Sequence, residues 1–173
     1  MSKEIYSTQN IYTDELEQIH YSNDQLPYYV REVNGNHSHV RNLPHWHYDI
    51  EIIIMVDEEL DMNVEGEIYH LEHGDGLLIN SCRLHHGKEI ATDYICIRIH
   101  PMLLCANEYI EENYVAPLLG GNAFDALYLD HTIPYQKKII DLVKGMYKVH
   151  SDNKDGKELL IEKYAYEIWY QLL

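Results

Sequence analysis

Basic residues are scarce in this chain: 13 lysines and arginines stand against 29 aspartates and glutamates, a formal net charge of −16 over 173 residues. Contact with a phosphate backbone needs the opposite sign, so this polypeptide by itself is not expected to bind nucleic acid. Cysteine is also sparse. Cys82, Cys96 and Cys105 form an odd set without CxxC spacing, which argues against a disulfide framework and a structural zinc cluster and leaves reduced thiols as the expectation. Long apolar runs are missing, and Met1-Ser2-Lys3-Glu4 lacks the apolar segment of a signal peptide. The expectation is a cytoplasmic protein with no membrane partner. Phenylalanine occurs once, at Phe124, while tyrosine occurs 16 times; tyrosine fills ordinary cores when its hydroxyl finds a partner, so the bias carries little functional weight.

What is present concentrates in His45-Trp46-His47-Tyr48-Asp49-Ile50-Glu51-Ile52-Ile53-Ile54-Met55-Val56. Side chains on a strand alternate faces. Read as one strand, His45, His47, Asp49, Glu51, Ile53 and Met55 share one side, and Trp46, Tyr48, Ile50, Ile52, Ile54 and Val56 share the other. A half-exposed strand shows one solvated face, whereas this one offers water only a local polar cluster. It is therefore expected to be a buried strand of an all-β barrel or sandwich, with His45, His47 and Glu51 converging on an interior pocket.

The length fits one domain with a helical appendage. Residues 1–26 read as an N-terminal arm. Tyr28 to Val33 is a first strand after Pro27, and Asn34-Gly35-Asn36 is a turn followed by a loop carrying His37 and His39. Leu60 to Val64, Glu67 to Leu71, Leu77 to Ile79 and Thr92 to His100 read as further short strands, separated by Glu65-Gly66, by His73-Gly74-Asp75-Gly76 and by an irregular loop bringing His85 and His86 back to the sheet. Such strands without intervening helical patterns indicate a jelly-roll barrel over residues 27–115. A short helix is expected at Met102 to Tyr114, and 116–133 reads as a mixed connector. From Pro134 the apolar period becomes helical, and the spacing predicts one helix to about Val149 and another from about Gly156 to Leu173, with Asp155 and Glu158 as a capping pair. The pair is expected to cover the outer face formed by Trp46, Tyr48, Ile50, Ile52 and Ile54 and to leave Trp169, Tyr170, Leu172 or Leu173 and parts of Ile139 and Tyr147 for a homodimer contact. Residues 134–173 thus read as a helical dimerisation hairpin. Its uncapped apolar end, Gln171-Leu172-Leu173, reads like a cut in a longer protein.

His45-x-His47-x-x-x-Glu51, with Gly74-Asp75 and His85 later, resembles the two motifs of the cupin fold. The resemblance implies that His45, His47, Glu51 and His85 can hold a divalent metal such as Zn, Ni, Mn or Fe. Glu58 replaces the glycine closing the first motif, and Asn80, Cys82 and Glu89 replace the proline, glycine and asparagine of the second. With Glu51-Ile52-Ile53, Gly74 to Asn80 and Leu84-His85, residues from about 27 to 173 resemble the N-terminal effector-binding domain of AraC-type transcription regulators. That implies a cupin-like jelly-roll β-barrel, mainly β, followed by a pair of α-helices. It also implies a small-molecule effector, pairing of helices between subunits, and DNA contact only through a helix-turn-helix domain not in this chain. The expected function is ligand sensing without catalysis and with no required cofactor. The expected effector is a small metabolite such as a sugar, in a pocket lined by His45, His47, Glu51, Ile53, Met55, His85 and Tyr94. The alternative is a stand-alone metal-dependent cupin enzyme, a dioxygenase or sugar isomerase.

Overall fold

Runs of β-branched and aromatic residues bounded by turn residues become strands, because branched side chains fit a pleated, half-buried surface. A computed structural model describes residues 12–13, 15–33, 43–87, 93–120 and 123–173. The N-terminal arm contributes a small pair, β1 (Tyr12–Thr13) and β2 (Leu16–Glu17). The barrel strands are β3 (Tyr28–Val33), β4 (Ile50–Met55), β5 (Leu60–Val64), β6 (Glu67–Leu71), β7 (Gly76–Ile79), β8 (His85–Gly87), β9 (Tyr94–Ile99) and β10 (Ala126–Leu129). They form two antiparallel sheets, ordered β10-β7-β4-β9-β3 and β6-β5-β8. Glu65 and Gly66 both have positive φ, 50° and 91°, the two-residue turn whose twist matches a β-hairpin.

Alternation along β4 decides which layer each side chain enters. Ile53 and Met55 turn toward the short sheet and pack with Leu60, Met62, Val64, Leu71, Leu77 and Ile79. Ile50, Ile52 and Ile54 turn the other way and join Leu78, Ile95, Ile97 and Ile99 in a second apolar layer. Helices α3 (Pro134–Asp152) and α4 (Lys157–Tyr170) close that layer with Ile139, Val143, Met146, Ile161, Ala165, Ile168 and Trp169. The fold is therefore mainly β, a cupin-like jelly-roll barrel of two sheets with C-terminal helices backing the larger one.

Several expectations are corrected. The segment from His45 to Asp49 is not part of β4: it is a bent crossover, and regular pairing begins at Ile50. His45 and His47 use their Nδ1 atoms on the carbonyls of Leu43 and Asp49, and such local side-chain bonds compete with a ladder. Because of the bend, Tyr48 is exposed rather than covered by helix. The connector 116–133 contains β10, which extends the large sheet by pairing with β7. The short helix is instead a 3₁₀ turn, Pro101–Leu104, then α1 (Glu108–Ile110), a π turn (Glu111–Val115) and α2 (Ala116–Leu119). Asp155 does not cap α4; Gly156 does, in a left-handed conformation with no side-chain bond. Ile139 and Trp169 are buried in the core, so they are not available to a partner. His37 and His39 lie outside the described residues. No helix of the described residues is long and apolar enough to cross a membrane.

Gly76 is required by close approach. A Cβ there would lie 2.8 Å from the carbonyl oxygen of Ile53 and 2.6 Å from Ile54 Cδ1, and backbone cannot step aside cheaply. Gly76→Ala is expected to cost about 1–3 kcal/mol, the usual range for overpacking, read as a lower urea midpoint with an unchanged slope.

Candidate functional site

Three segments bring the histidines together. The 45–49 crossover is tied to the β7–β8 loop by reciprocal backbone bonds between His45 and His85 (3.0 and 2.9 Å), by Cys82 N donating to His47 O (2.8 Å), and by Ser81 Oγ donating to Tyr48 O (2.7 Å). β4 then supplies Glu51 from the adjacent sheet. One donor atom from each of His45, His47, Glu51 and His85 lies within 4.8 Å of the other three, and all four residues are buried. The sequence-expected cluster therefore assembles, although two of its members come from the bend and not from the strand. His70 is exposed and bound to Asp61 Oδ1 at 2.7 Å, remote in role from the cluster.

Each histidine places Nδ1 against a carbonyl that can only accept: Leu43 O at 2.8 Å for His45, Asp49 O at 3.0 Å for His47 and Arg83 O at 2.8 Å for His85. Nδ1 therefore carries the proton, and Nε2 points inward. For His47 that inward nitrogen meets another acceptor, Glu51 Oε2 at 3.0 Å. His85 Nε2 stands 3.6 Å from the same oxygen, buried and beyond hydrogen-bond reach. A neutral imidazole cannot donate from both nitrogens, so this geometry calls for a proton or a metal ion among the Nε2 atoms. Histidines oriented by backbone carbonyls around a carboxylate are the donor set that divalent ions take, and His45, His47, His85 and Glu51 fit one.

Sequence reasoning missed Arg98 and Glu17. Arg98 lies directly across from Glu51 in the β4–β9 register. Its Nε donates to Glu51 Oε2 at 2.5 Å and its Nη1 to Glu17 Oε2 at 2.9 Å, while the guanidinium carbon lies over the Tyr29 ring of β3, 5.8 Å from its centroid. Glu17 is buried although it belongs to the arm, and its Oε2 is 3.2 Å from His45 Nε2. A lone arginine alternating with Tyr94 and Cys96 on an apolar strand was a readable signal, since a buried cation demands a carboxylate. Glu17, one acid among many in a polar arm, carried none.

Burial pushes the Glu51 carboxyl up, but Arg98, then the hydrogen bond from His47 and the nearby His85 ring, outweigh it and hold the group well below the usual carboxylate range. Burial and the neighbouring His85 push His45 down to about 4, keeping it neutral at physiological pH. Tyr94 is pushed up by burial and packs on the apolar layer of Ile53 and Met55, which continues the Glu51 face into the barrel. Beside the cluster, an open groove of about 400 Å³ is lined by Glu15, Trp46, Tyr48, Glu65, Cys82 and Leu84.

The described residues thus form a two-sheet jelly-roll that carries a buried cluster of three histidines and one glutamate. No protein-family model matches the chain. It is similar to an uncharacterised HTH-type transcriptional regulator, YdeC of Bacillus subtilis, with 26% identity over 132 residues, 75% of this chain and 45% of that protein. The chain thus spans under half the length of that relative. Among solved structures it is similar to ToxT from Vibrio cholerae (TM-score 0.48, 9% identity, 85% of this chain and 55% of that one). It is also similar to the AraC-like transcriptional activator CuxR (TM-score 0.46, 9% identity, 83% of this chain and 49% of that one).

Two outcomes follow for metal-free protein in EDTA. Arg98→Met leaves buried carboxylates without their cation and is expected to cost about 3–5 kcal/mol in urea unfolding, with part of the loss recovered in Arg98→Met/Glu51→Gln. Because the folded pKa of Glu51 is depressed, its contribution is fully present above the unfolded value of about 4.3 and is lost as pH falls below it. Acid titration followed by circular dichroism should show that Glu51→Gln flattens this loss.

Proposed function

We propose that this domain is the sensing part of an AraC-type transcription regulator, in which a small effector is recognised at the His45, His47, His85 and Glu51 cluster and no reaction is catalysed. The observation that carries the reading is a buried polar site contacted by a segment, residues 15–26, that is not part of the barrel. A site that a segment outside the barrel touches through Glu17 and Tyr21 suits a switch, since a ligand shifts a conformational equilibrium by its differential affinity for the two states. Similarity to the HTH-type regulator YdeC supports the regulatory setting. DNA contact is assigned to a helix-turn-helix region outside these residues, in keeping with the acidic charge of this chain.

The effector is a small polar metabolite such as a sugar, bound beside or through a divalent ion held by the cluster. Bound there, the ion supplies a Lewis-acidic centre for a ligand oxygen. The chain's own residues set its surroundings: the backbone carbonyls of Leu43, Asp49 and Arg83 orient the rings, and Arg98 balances the carboxylates. The same donor set favours one second reading, a metal-dependent enzyme with Glu51 as ligand or base.

Thermal-shift screening of the purified protein against Zn, Ni, Mn and Fe salts, then sugars and organic acids, tests the reading. A ligand at 100 times its Kd adds about 2.7 kcal/mol, which raises Tm by several degrees, and His85→Ala should abolish the shift. Turnover of a screened compound by the metal-loaded protein would move the assignment to the enzyme.

Self-association belongs to the same proposal. Leu159, Tyr166 and Tyr170 recur at helical spacing on the exposed side of α4, opposite buried Ile161, Ala165 and Ile168, and exposed Leu173 follows just beyond its end. This stripe keeps Tyr170 and Leu173 from the homodimer surface expected from sequence and drops buried Ile139 and Trp169. Leu159→Glu is expected to shift sedimentation from dimer to monomer while leaving the circular dichroism spectrum unchanged; a wild-type monomer at high micromolar concentration would remove the dimer from the proposal.

A further inference from the structure

The crossover that carries His45 and His47 has a second side. His45, His47 and Asp49 are buried, whereas Trp46 and Tyr48, which alternate with them, line a groove, Tyr48 with 55% of its surface exposed. Their rings stand edge to face, with centroids 5.6 Å apart and planes at 81°, so they form a corner with two aromatic walls. The corner opens on the groove of about 400 Å³ whose other walls are Glu15, Glu65, Cys82 and Leu84. A volume of that order holds a small molecule.

Main-chain bonds fix these walls. Trp46 N donates to Glu15 O at 2.8 Å, Cys82 N to His47 O at 2.8 Å, and Ser81 Oγ to Tyr48 O at 2.7 Å. Glu65 N donates to Leu84 O at 2.9 Å and Leu84 N returns a bond to Glu65 Oε1 at 2.6 Å, which sets that carboxylate in the wall. Glu15, Glu65 and Cys82 are three of the five non-glycine residues with positive φ among the described residues, at 66°, 50° and 59°. Such conformations persist only where the surrounding structure holds them, and they gather at binding sites.

Charge selects the occupant. The lining holds two carboxylates and no basic side chain, and the chain as a whole carries −16, so its field draws in cations and repels anions. The face of a tryptophan or tyrosine ring attracts a cation through its quadrupole, and aromatic walls are the usual receptor for quaternary ammonium groups. A hydrated inorganic ion would gain little from those rings, whereas an alkylated ammonium uses the rings and the carboxylates together. We propose that this groove binds a small organic cation, with a quaternary or alkylated ammonium group seated against Trp46 and Tyr48 and its charge balanced by Glu15 and Glu65. The site lies on the outer face of the crossover and does not rest on the effector reading of the histidine cluster.

Cys82 supplies the readout, because it lines the groove and is exposed, while Cys96 is buried and its thiol is pushed up by that burial. The probe is choline, and its control is the neutral isostere in which carbon replaces the charged nitrogen. On the whole chain, saturating choline should slow alkylation of Cys82 by iodoacetamide, followed by peptide mass spectrometry, and leave the rate at Cys105 unchanged; the isostere should leave both rates alone. Calorimetric titration should show Trp46→Leu and the double variant Glu15→Gln/Glu65→Gln each weakening choline about 3- to 30-fold, the range for one cation–π contact or two exposed ion pairs. Glu58→Gln, which removes an exposed acid outside the groove, should have no effect. Equal protection of Cys82 by the isostere reduces the groove to an apolar cleft and overturns the proposal. Choline affinity unchanged in both variants, or no protection of Cys82 at millimolar choline, overturns it as well. Should Trp46→Leu fail to fold, the double variant, which keeps an acceptor for Leu84 N, decides.

Discussion

The cross-strand contact between Arg98 on β9 and Glu51 on β4 is the constraint from which the site is built. A buried carboxylate is tolerated only with compensation, and here it comes from a guanidinium fork in direct register. Since a one-residue slip would turn every side chain to the other face, the same register that joins Glu51 to Arg98 sends Ile50, Ile52 and Ile54 to the helices and Ile53 and Met55 to the barrel interior. Pairing of charge and sorting of the core are one choice of alignment.

Around that pair the chain spends its irregular backbone. The bend at 45–49 lets two histidines leave the line of β4 and meet a third from β8, while the loop at 80–85 is held against it by backbone and serine bonds. A regular strand would have placed His45 and His47 on the Glu51 face but further along it, at roughly 7 Å per two residues. The bend draws them into a cluster no wider than 4.8 Å between donor atoms. Departure from ladder geometry is what makes the group compact enough for one ion or one small ligand to meet all four residues.

A second buried carboxylate does similar joining work on the opposite edge. Asp75, before β7, accepts from the backbone of Glu72, from Tyr128 on β10 and from both the backbone and ring of His131. Burial raises its pKa, but these hydrogen bonds outweigh that and keep it lowered. It fastens the connector to the barrel just ahead of α3, so the helices that seal the sheet start from a fixed point. At both places a buried acid is satisfied by groups brought from another part of the chain, Arg98 on β9 for Glu51 and the connector for Asp75.

Most of the architecture was legible in the sequence because it is local. A run of β-formers after Pro27 marked β3, period-two alternation marked β5, short runs bounded by turn residues marked β6 and β9, the Glu65-Gly66 turn marked a hairpin, and the change to helical period at Pro134 marked α3 and α4. The residue types of His45, His47, Glu51 and His85 pointed to a common cluster, and the fold brings them together. What the tertiary structure decided was everything set by distant partners. Whether His45 and His47 extend β4 or bend away depends on Ser81, Cys82 and His85, more than 30 residues on. The short segment Ala126–Leu129 becomes a strand only because β7 offers an unpaired edge. Glu17 is an ordinary surface acid by composition and a buried one by position, because Arg98 and Trp46 receive it. Local periodicity is a property of neighbouring residues and can be read along the chain; the compensation of buried charge is a property of residues far apart, and only the folded chain brings them together.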